Sequence, residues 1–204
     1  MRDYKSGEGW EIFIGDCRNS MMLGMADASV QMCVTSPPYF GLRDYKCDGQ
    51  LGREETPEAY IAAMVEVFRE VKRVLKDDGV LWLNIGDSYA GSRGNYGGHN
   101  RGKGNSQREI STGSIENNTD HKLPSDLRPP TSKLSGDLKN KDLIGIPCIL
   151  AGSRPGDTVL DPFGGSGTTA QVALQHGRKV ILCELNGDYA PLIEQRIAGA
   201  TSCK

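Results

Sequence analysis

The sequence predicts an α/β domain built on a mostly parallel sheet. A strand, a loop, a helix and a second strand follow one another between residues 30 and 86, and alternating strands and helices fill the C-terminal third. A glycine-rich turn joins a strand to a helix at residues 161–169. The length of 204 residues suits one domain, so we expect a single domain over residues 1–204.

The first predicted strands, residues 10–14 and 30–34, both end in polar residues, where ligands usually bind in such folds. Thr56 and Pro57 then start a helix, because a threonine hydroxyl caps it and proline suits its first position. Apolar residues keep helical spacing up to residue 75, and we expect Gly79 to terminate the helix. A strand at residues 80–85 follows, which implies a right-handed parallel crossover.

Residues 91–141 have a different composition: eight glycines, few large apolar residues, and nine Lys or Arg against five Asp or Glu. Such a stretch cannot build a core, so we expect a flexible basic loop within the domain. The chain as a whole carries a formal charge of −2, so positive charge is concentrated in this segment. A solvated loop and an arm that contacts phosphates both remain open.

Five further elements are predicted in the C-terminal third. A helical stretch at residues 138–153 contains Gly145 and Pro147, which should break or kink it. A strand at 158–160, a helix at 167–175 stopped by Gly177, a strand at 180–183 and a helix at 188–197 then follow. They form a βαβα unit.

Composition excludes several classes of protein. No apolar run approaches the ~18 residues of a membrane span, and the first ten residues lack the apolar region of a secretory signal, so we expect a soluble cytoplasmic protein. The six cysteines contain no C-x-x-C pair, and we interpret them as reduced and structural. The three histidines are scattered, which argues against a metal site.

The glycine-rich turn, Asp161-Pro-Phe-Gly-Gly-Ser-Gly167, would let a ligand approach the amides at a helix N-terminus. Glu184 closes the next strand, at the spacing where an acid binds ribose hydroxyls in nucleotide-binding folds. The turn lacks a Walker lysine, departs from the dinucleotide spacing, and carries Asp161, which would repel a pyrophosphate. We therefore expect S-adenosylmethionine, a cofactor with an amino-acid end and no phosphate.

A rigid corner, Thr35-Ser-Pro-Pro-Tyr39, ends the second predicted strand, since proline has no N–H and a fixed φ. With Gly15-Asp16-Cys17, the segment Leu81-Trp-Leu-Asn-Ile-Gly-Asp87 and the glycine-rich turn, it resembles the amino-group DNA methyltransferases, which modify cytosine or adenine. The corner precedes the turn, an order similar to the β group of these enzymes. A protein-glutamine methyltransferase would show the turn first. The resemblance implies a doubly wound, Rossmann-like fold that binds S-adenosylmethionine and acts on DNA.

The resemblance also implies roles for the corner. An exocyclic amine is a poor nucleophile because its lone pair is delocalised into the ring. The Ser36 hydroxyl and the Pro37 carbonyl would accept its two protons, and Pro38 would keep the corner rigid. Tyr39 would stack on a base turned out of the helix. No strong general base is needed, because the proton can leave after methyl transfer.

The cofactor residues follow from the same resemblance. Asp16 would hold the adenine amino group, with a strand-end cap as the alternative, and Glu184 would hold the ribose. Phe163 and the glycines would shape the methionine pocket. The full predicted set is Asp16, Thr35, Asp161, Pro162, Phe163, Gly164, Gly165, Ser166, Gly167, Thr168 and Glu184. Residues 43–45, Arg-Asp-Tyr, either shape the base pocket, contact a phosphate or form a surface ion pair.

Serine at the first corner position favours N4 of cytosine, since adenine enzymes of this family more often carry Asp or Asn there. N6 of adenine is the alternative. A non-catalytic remnant that binds cofactor or DNA, and an enzyme acting on RNA or protein, are further alternatives.

The chain departs from the family after Pro147, which runs directly into Cys148 where relatives have two further strands and a target-recognition region. The five predicted strands are therefore fewer than the roughly seven expected, and we expect a truncated sheet. An unpaired sheet edge would need a cover, which favours a homodimer.

Overall fold

The computed structural model describes residues 3–85 and 140–201, all within one compact unit that comprises residues 1–87 and 138–204. Its sheet has six strands in the order β1-β2-β6-β5-β3-β4. The strands are β1 (Asp3–Gly7), β2 (Trp10–Ile14), β3 (Val30–Thr35), β4 (Leu75–Leu83), β5 (Thr158–Asp161) and β6 (Lys179–Glu184). All neighbouring strands are parallel except β1 and β2, which confirms the predicted fold class.

The described residues form five α-helices, four of them between consecutive strands and the last after β6. They are α1 (Cys17–Gly24), α2 (Pro57–Val74), α3 (Asn140–Gly152), α4 (Thr168–Gln175) and α5 (Ala190–Thr201), the last preceded by a 3₁₀ turn at Gly187–Tyr189. No helix in the described ranges is both long and apolar enough to cross a membrane.

Both faces of the central strands are buried, because their successive side chains enter different cores. One core joins strand residues to α3, α4 and α5, and its strand residues include Ile12, Met32, Val159 and Leu182. The other joins the alternate residues to α1 and α2, and its strand residues include Phe13, Cys33, Leu160 and Cys183. Helices thus cover both faces, as a doubly wound fold requires.

Two elements were not predicted. Strand β1 pairs antiparallel with β2 and reads Asp-Tyr-Lys-Ser-Gly, a polar stretch without the apolar alternation that marks a strand. Helix α1 has only eight residues, which is too short for a clear helical repeat, and it begins at the N-cap Asp16. The prediction of five strands was therefore wrong by one.

The predicted end of α2 was also wrong. The helix ends at Val74, and Leu75 already has extended backbone geometry and belongs to β4. Leu75 pairs with Val30 and Val80 pairs with Met32, so the chain bulges between these pairs. Gly79 lies in this bulge, where an added Cβ would come within 2.9 Å of the Lys76 carbonyl oxygen.

Helix α3 continues through Pro147. Ile149 is fully buried in the core against the sheet, so packing outweighs the hydrogen bond that a proline removes. At the end of the helix, the buried Arg178 guanidinium donates to the Ser153 carbonyl (2.7 Å) and to the His176 carbonyl (2.6 Å). The predicted basic loop, residues 91–141, lies outside the described residues except for the start of α3.

One buried hydrogen bond joins two motifs that are far apart in sequence. The Thr35 hydroxyl, at the end of β3, donates to Asp161 Oδ1 at the end of β5 over 2.7 Å. The same carboxylate accepts from the Phe163 backbone N–H (3.0 Å) and from the Thr169 hydroxyl (2.7 Å). Asp161 therefore ties the end of β3 to the glycine-rich turn and to α4.

We expect Thr35→Val to lower the free energy of unfolding by about 1–3 kcal/mol, because it removes a buried donor and leaves one carboxylate oxygen less satisfied. Thr35→Ser keeps the hydroxyl and is the matched control. Urea unfolding measures the difference, and the dependence on denaturant should stay constant. Equal stability of the valine and serine variants would show that the hydrogen bond contributes nothing.

Candidate functional site

A cavity of about 580 Å³ opens at the carboxyl ends of the parallel strands. It lies at the point where connections from β5 and from β3 run in opposite directions across the sheet, which is where open α/β sheets bind ligands. The predicted site residues that line it are Asp16, Ser36, Pro38, Pro162, Phe163, Gly165, Ser166 and Glu184. The proline corner and the glycine-rich turn therefore share one cavity.

Glu184 forms part of the cavity wall and also fixes the glycine-rich turn. Its carboxylate accepts from the backbone N–H of Gly165 (2.7 Å) and from that of Asn186 (2.8 Å). Burial raises the pKa of Glu184 above its usual value, although these two backbone hydrogen bonds act in the opposite direction. Each carboxylate oxygen retains a second lone pair, so Glu184 can still accept from ribose hydroxyls.

The glycine-rich turn runs close against β6. Gly164 donates its N–H to the Cys183 carbonyl (2.8 Å), and an added Cβ would lie 3.1 Å from the Leu182 Cβ. Gly165 has a φ of 52° and lines the cavity with backbone alone. The turn leads into α4, whose N-cap Gly167 makes no side-chain capping hydrogen bond. The first amides of α4 are thus available to an anionic group.

Asp16 both lines the cavity and caps α1. Its carboxylate accepts from the Arg18 backbone N–H (2.9 Å) and from the Arg18 guanidinium, the shortest contact being 2.6 Å. Burial alone would raise the pKa of Asp16, but the Arg18 hydrogen bonds lower it overall, so the group stays ionised. The predicted capping role is present, and a carboxylate has further lone pairs for an amino group.

The proline corner places its four residues differently. Ser36 is exposed and Pro38 is half-buried, and both line the cavity, whereas Pro37 is buried. Tyr39 is half-buried and does not line the cavity. The hydroxyl of the buried Tyr60, on α2, donates to the Pro38 carbonyl over 2.9 Å. This hydrogen bond holds the corner against α2.

Seven predicted site residues do not line the cavity: Thr35, Pro37, Tyr39, Asp161, Gly164, Gly167 and Thr168. The Thr35 hydroxyl donates a hydrogen bond to Asp161, and the Thr168 hydroxyl accepts a hydrogen bond from the Arg196 guanidinium. Their direct contact with cofactor or base stays a prediction.

The outer wall of the cavity was only partly predicted. It comes from the loop after the corner, through Arg43, Tyr45, Cys47, Gly49, Gln50 and Leu51, and from Leu185, Asn186 and Tyr189 beyond β6. Arg43 and Asp44 do not pair, since Asp44 lies 3.6 Å from the Arg53 guanidinium instead. Tyr60 was missed as a site residue, and its signal was a polar hydroxyl within an apolar helix face.

The cavity suits a nucleoside cofactor with an amino-acid end. It offers the carboxylates of Asp16 and Glu184 and the apolar face of Phe163. These groups complement ribose hydroxyls, an amino group and a positively charged sulfur or amine. The described residues contain no cluster of three or more His, Cys, Asp or Glu able to hold a metal.

Comparisons with known proteins agree with this geometry. A sequence model of the DNA methylase family, covering N6 and N4 methylases, matches residues 30–122 and 143–195. The Type II methyltransferase M.SmaI of Serratia marcescens is 31% identical over 284 residues, which cover 92% of this chain and 90% of the relative. That alignment is longer than the chain, so part of the relative has no counterpart here. The predicted shortening is confirmed.

Two further proteins are similar to this chain. The DNA adenine methyltransferase YhdJ of Escherichia coli (strain K12) is 53% identical over 49 residues, 24% of this chain and 17% of the relative. TTHA0409 of Thermus thermophilus, crystallised with S-adenosyl-L-methionine, superposes with a TM-score of 0.58 at 25% identity, covering 92% of this chain and 94% of that chain. The chain therefore belongs to the DNA methylase family, the S-adenosylmethionine-dependent methyltransferases that modify amino groups of DNA bases.

Proposed function

We propose that this chain transfers a methyl group from S-adenosylmethionine to the N4 amino group of a cytosine in DNA. The observation that supports it is the shared cavity: Ser36 of the corner lines the same space as Gly165 and Glu184 of the cofactor wall. Methyl transfer needs donor and acceptor to meet at one place. A cavity that held only one of the two motifs would have supported binding without turnover.

The residues of the chain divide the work between cofactor and base. S-adenosylmethionine supplies a methyl group activated by positively charged sulfur. Glu184 would bind its ribose and Asp16 its adenine, and Phe163 with the glycines of the turn would shape the pocket for its methionine part. The Ser36 hydroxyl and the Pro37 carbonyl would accept hydrogen bonds from the two N–H groups of the target amine. They would thereby direct the lone pair of its nitrogen towards the methyl group. The Tyr60 hydrogen bond to Pro38 keeps these acceptors in position.

N6 of adenine is the second candidate acceptor. It is favoured by the similarity to YhdJ, whose name specifies adenine, although that similarity covers only 24% of this chain. Cytosine is favoured by serine at residue 36, because the adenine enzymes of the family more often have Asp or Asn there. DNA as substrate also implies a cytoplasmic location in a bacterial cell.

The decisive experiment incubates the protein with isotopically labelled S-adenosylmethionine and unmethylated DNA, then identifies the modified nucleoside by mass spectrometry. We expect N4-methylcytosine, and Ser36→Ala should lower turnover by roughly 100-fold or more with little change in cofactor affinity, since a lost acceptor at the reacting atom acts on the transition state. Ser29→Ala removes an exposed hydroxyl that does not line the cavity and serves as the control.

Each other result has a clear meaning. N6-methyladenine would keep the reaction and change the base, while label in RNA or protein alone would change the substrate class. Cofactor binding without any label would identify a non-catalytic remnant. Equal loss of turnover and cofactor affinity in Ser36→Ala would remove Ser36 from the acceptor role.

A second prediction concerns pH and Glu184. Because burial raises its pKa, the carboxylate takes up a proton at a higher pH than an ordinary glutamate, and it then accepts ribose hydrogen bonds less well. Cofactor affinity should therefore fall as the pH is lowered through this raised pKa. Glu184→Gln should bind cofactor roughly tenfold more weakly at pH 8 and lose this pH dependence. Isothermal titration calorimetry measures both.

The free energy of unfolding of the cofactor-free protein should change with pH in the direction opposite to the cofactor affinity. A raised folded-state pKa gives a stabilisation that is present below the ordinary glutamate pKa and is lost as the pH rises through the raised value. The difference in stability between wild type and Glu184→Gln removes the contributions of the other acidic residues. The control is Glu194→Gln, which changes a largely exposed side chain. If the cofactor affinity of Glu184→Gln depends on pH as that of the wild type does, another group binds the ribose.

We also propose that the chain forms a homodimer through β4. This strand has a neighbour on one side only among the described residues, and large apolar side chains on it are exposed, from Val80 to Leu83, as is Ile85. Unpaired edges of this kind associate unless they are covered. Light scattering should give twice the chain mass of 22.1 kDa, and Leu81→Lys should give the monomer. A monomeric wild type would overturn this proposal.

A further inference from the structure

The loop after the proline corner is closed on itself. The Gly41 backbone N–H donates to the Gly52 carbonyl over 2.8 Å, and the Leu42 N–H donates to the Tyr39 carbonyl over 3.3 Å. Leu51 at its far end is buried in the core that contains α2. The loop, residues 39–52, is therefore anchored at both ends beside the cavity.

Gln50 fixes the middle of this loop. Its side-chain N–H donates to the Arg43 carbonyl (2.7 Å), and its side-chain oxygen accepts from the Tyr45 backbone N–H (2.6 Å). All three residues line the cavity. Because the backbone on both sides of Asp44 is tied to one amide, the position of Arg43 beside the cavity is preset before any ligand arrives.

The Arg43 guanidinium has no acidic partner in the part of the chain that the structure describes. The adjacent Asp44 pairs with Arg53, and Asp16 across the cavity pairs with Arg18. Glu184 is held by backbone N–H groups. Arg43 thus brings a set of unused hydrogen-bond donors to the same cavity as Ser36.

We propose that Arg43 selects cytosine by donating to its O2 and N3 atoms while the N4 amine lies at Ser36. On cytosine these three groups lie side by side on one edge, so one residue of the corner and one of the loop can read them together. On adenine the corresponding edge has the N1 acceptor next to a C–H, and a guanidinium fork would keep only one partner. The inference rests on the methyl transfer proposed above and adds the residue that chooses the base.

Two anions could attract Arg43 in place of the cytosine edge. The cofactor carboxylate is one, and contact with it would make cofactor binding depend on Arg43. A DNA phosphate is the other, and it would give salt-sensitive binding without any preference for a base. The test separates all three ligands.

The experiment first maps the base that the wild-type protein methylates in unmethylated DNA. Duplexes then carry either cytosine or 3-deazacytosine at that position, since the analogue keeps O2 and the amine but replaces N3 by C–H. Their dissociation constants are measured by fluorescence anisotropy with S-adenosylhomocysteine bound, so that no turnover is needed. The proteins are wild type, Arg43→Lys, which keeps the charge but loses the fork, and Arg53→Lys, a control outside the cavity.

The quantity that decides is the ratio of the two dissociation constants for each protein. The weaker pairing of the analogue affects all three proteins equally and cancels when their ratios are compared. We expect wild type and Arg53→Lys to disfavour the analogue at least about tenfold more than Arg43→Lys does, as expected for a lost bidentate base contact.

Several results would overturn the assignment. Equal ratios for wild type and Arg43→Lys would show that Arg43 does not touch N3. Equal ratios with weaker binding of both duplexes would assign it to a phosphate, which lysine binds without the bidentate hydrogen bonds, and weaker cofactor binding would assign it to the carboxylate. Methylation mapped to adenine would overturn the cytosine contact but leave methyl transfer intact. A wild type that labels no DNA would overturn the proposed function and this inference with it.

Discussion

The hydrogen bond between Thr35 and Asp161 connects the two halves of the site. Its partners are 126 residues apart in sequence and 2.7 Å apart in the fold, and both side chains are buried. A buried carboxylate is costly unless donors surround it, and Asp161 obtains donors from Thr35, Thr169 and the Phe163 backbone. The need to satisfy this one group therefore brings the corner and the glycine-rich turn together. If either motif moved alone, the Asp161 carboxylate would lose a hydrogen-bond donor.

The pairing of the strands also brings polar residues together at the carboxyl edge of the sheet. The register of the parallel strands aligns Ile14 with Glu184, Asp161 with Leu182 and Cys33 with Leu160, so the ends of β2, β3, β5 and β6 lie within two residues of one another. Polar residues that follow those ends must then face a common space. Glu184 uses this position twice, since it fixes the Gly165 backbone and faces the cavity. One side chain thus fixes the backbone of the turn and lines the cavity, so this part of the cavity wall is positioned before a ligand binds.

The sequence was sufficient for the parts of the fold that carry strong local signals. Buried strands with apolar runs, the capped start of α2 and the glycine-rich turn were all recognisable, and their convergence followed from parallel topology. The failures have physical causes. Strand β1 is polar because it lies at an edge, and Gly79 serves a bulge that depends on pairing with β3. The closed loop depends on the amide of Gln50, whose partners are five and seven residues away. No periodicity marks contacts of that kind.

The shortening of the chain has a limited effect on the site because of where the site lies. Among the described residues, every one that lines the cavity comes from the ends of β2, β3, β5 and β6, from the loop 39–52 or from the turn before α5. Strand β4 and helix α3 contribute none. The predicted join at Pro147 and Cys148 falls in α3, and the exposed apolar residues lie on β4. Loss of chain at this predicted join would remove cover from the sheet, while the strand ends that line the cavity remain paired with one another.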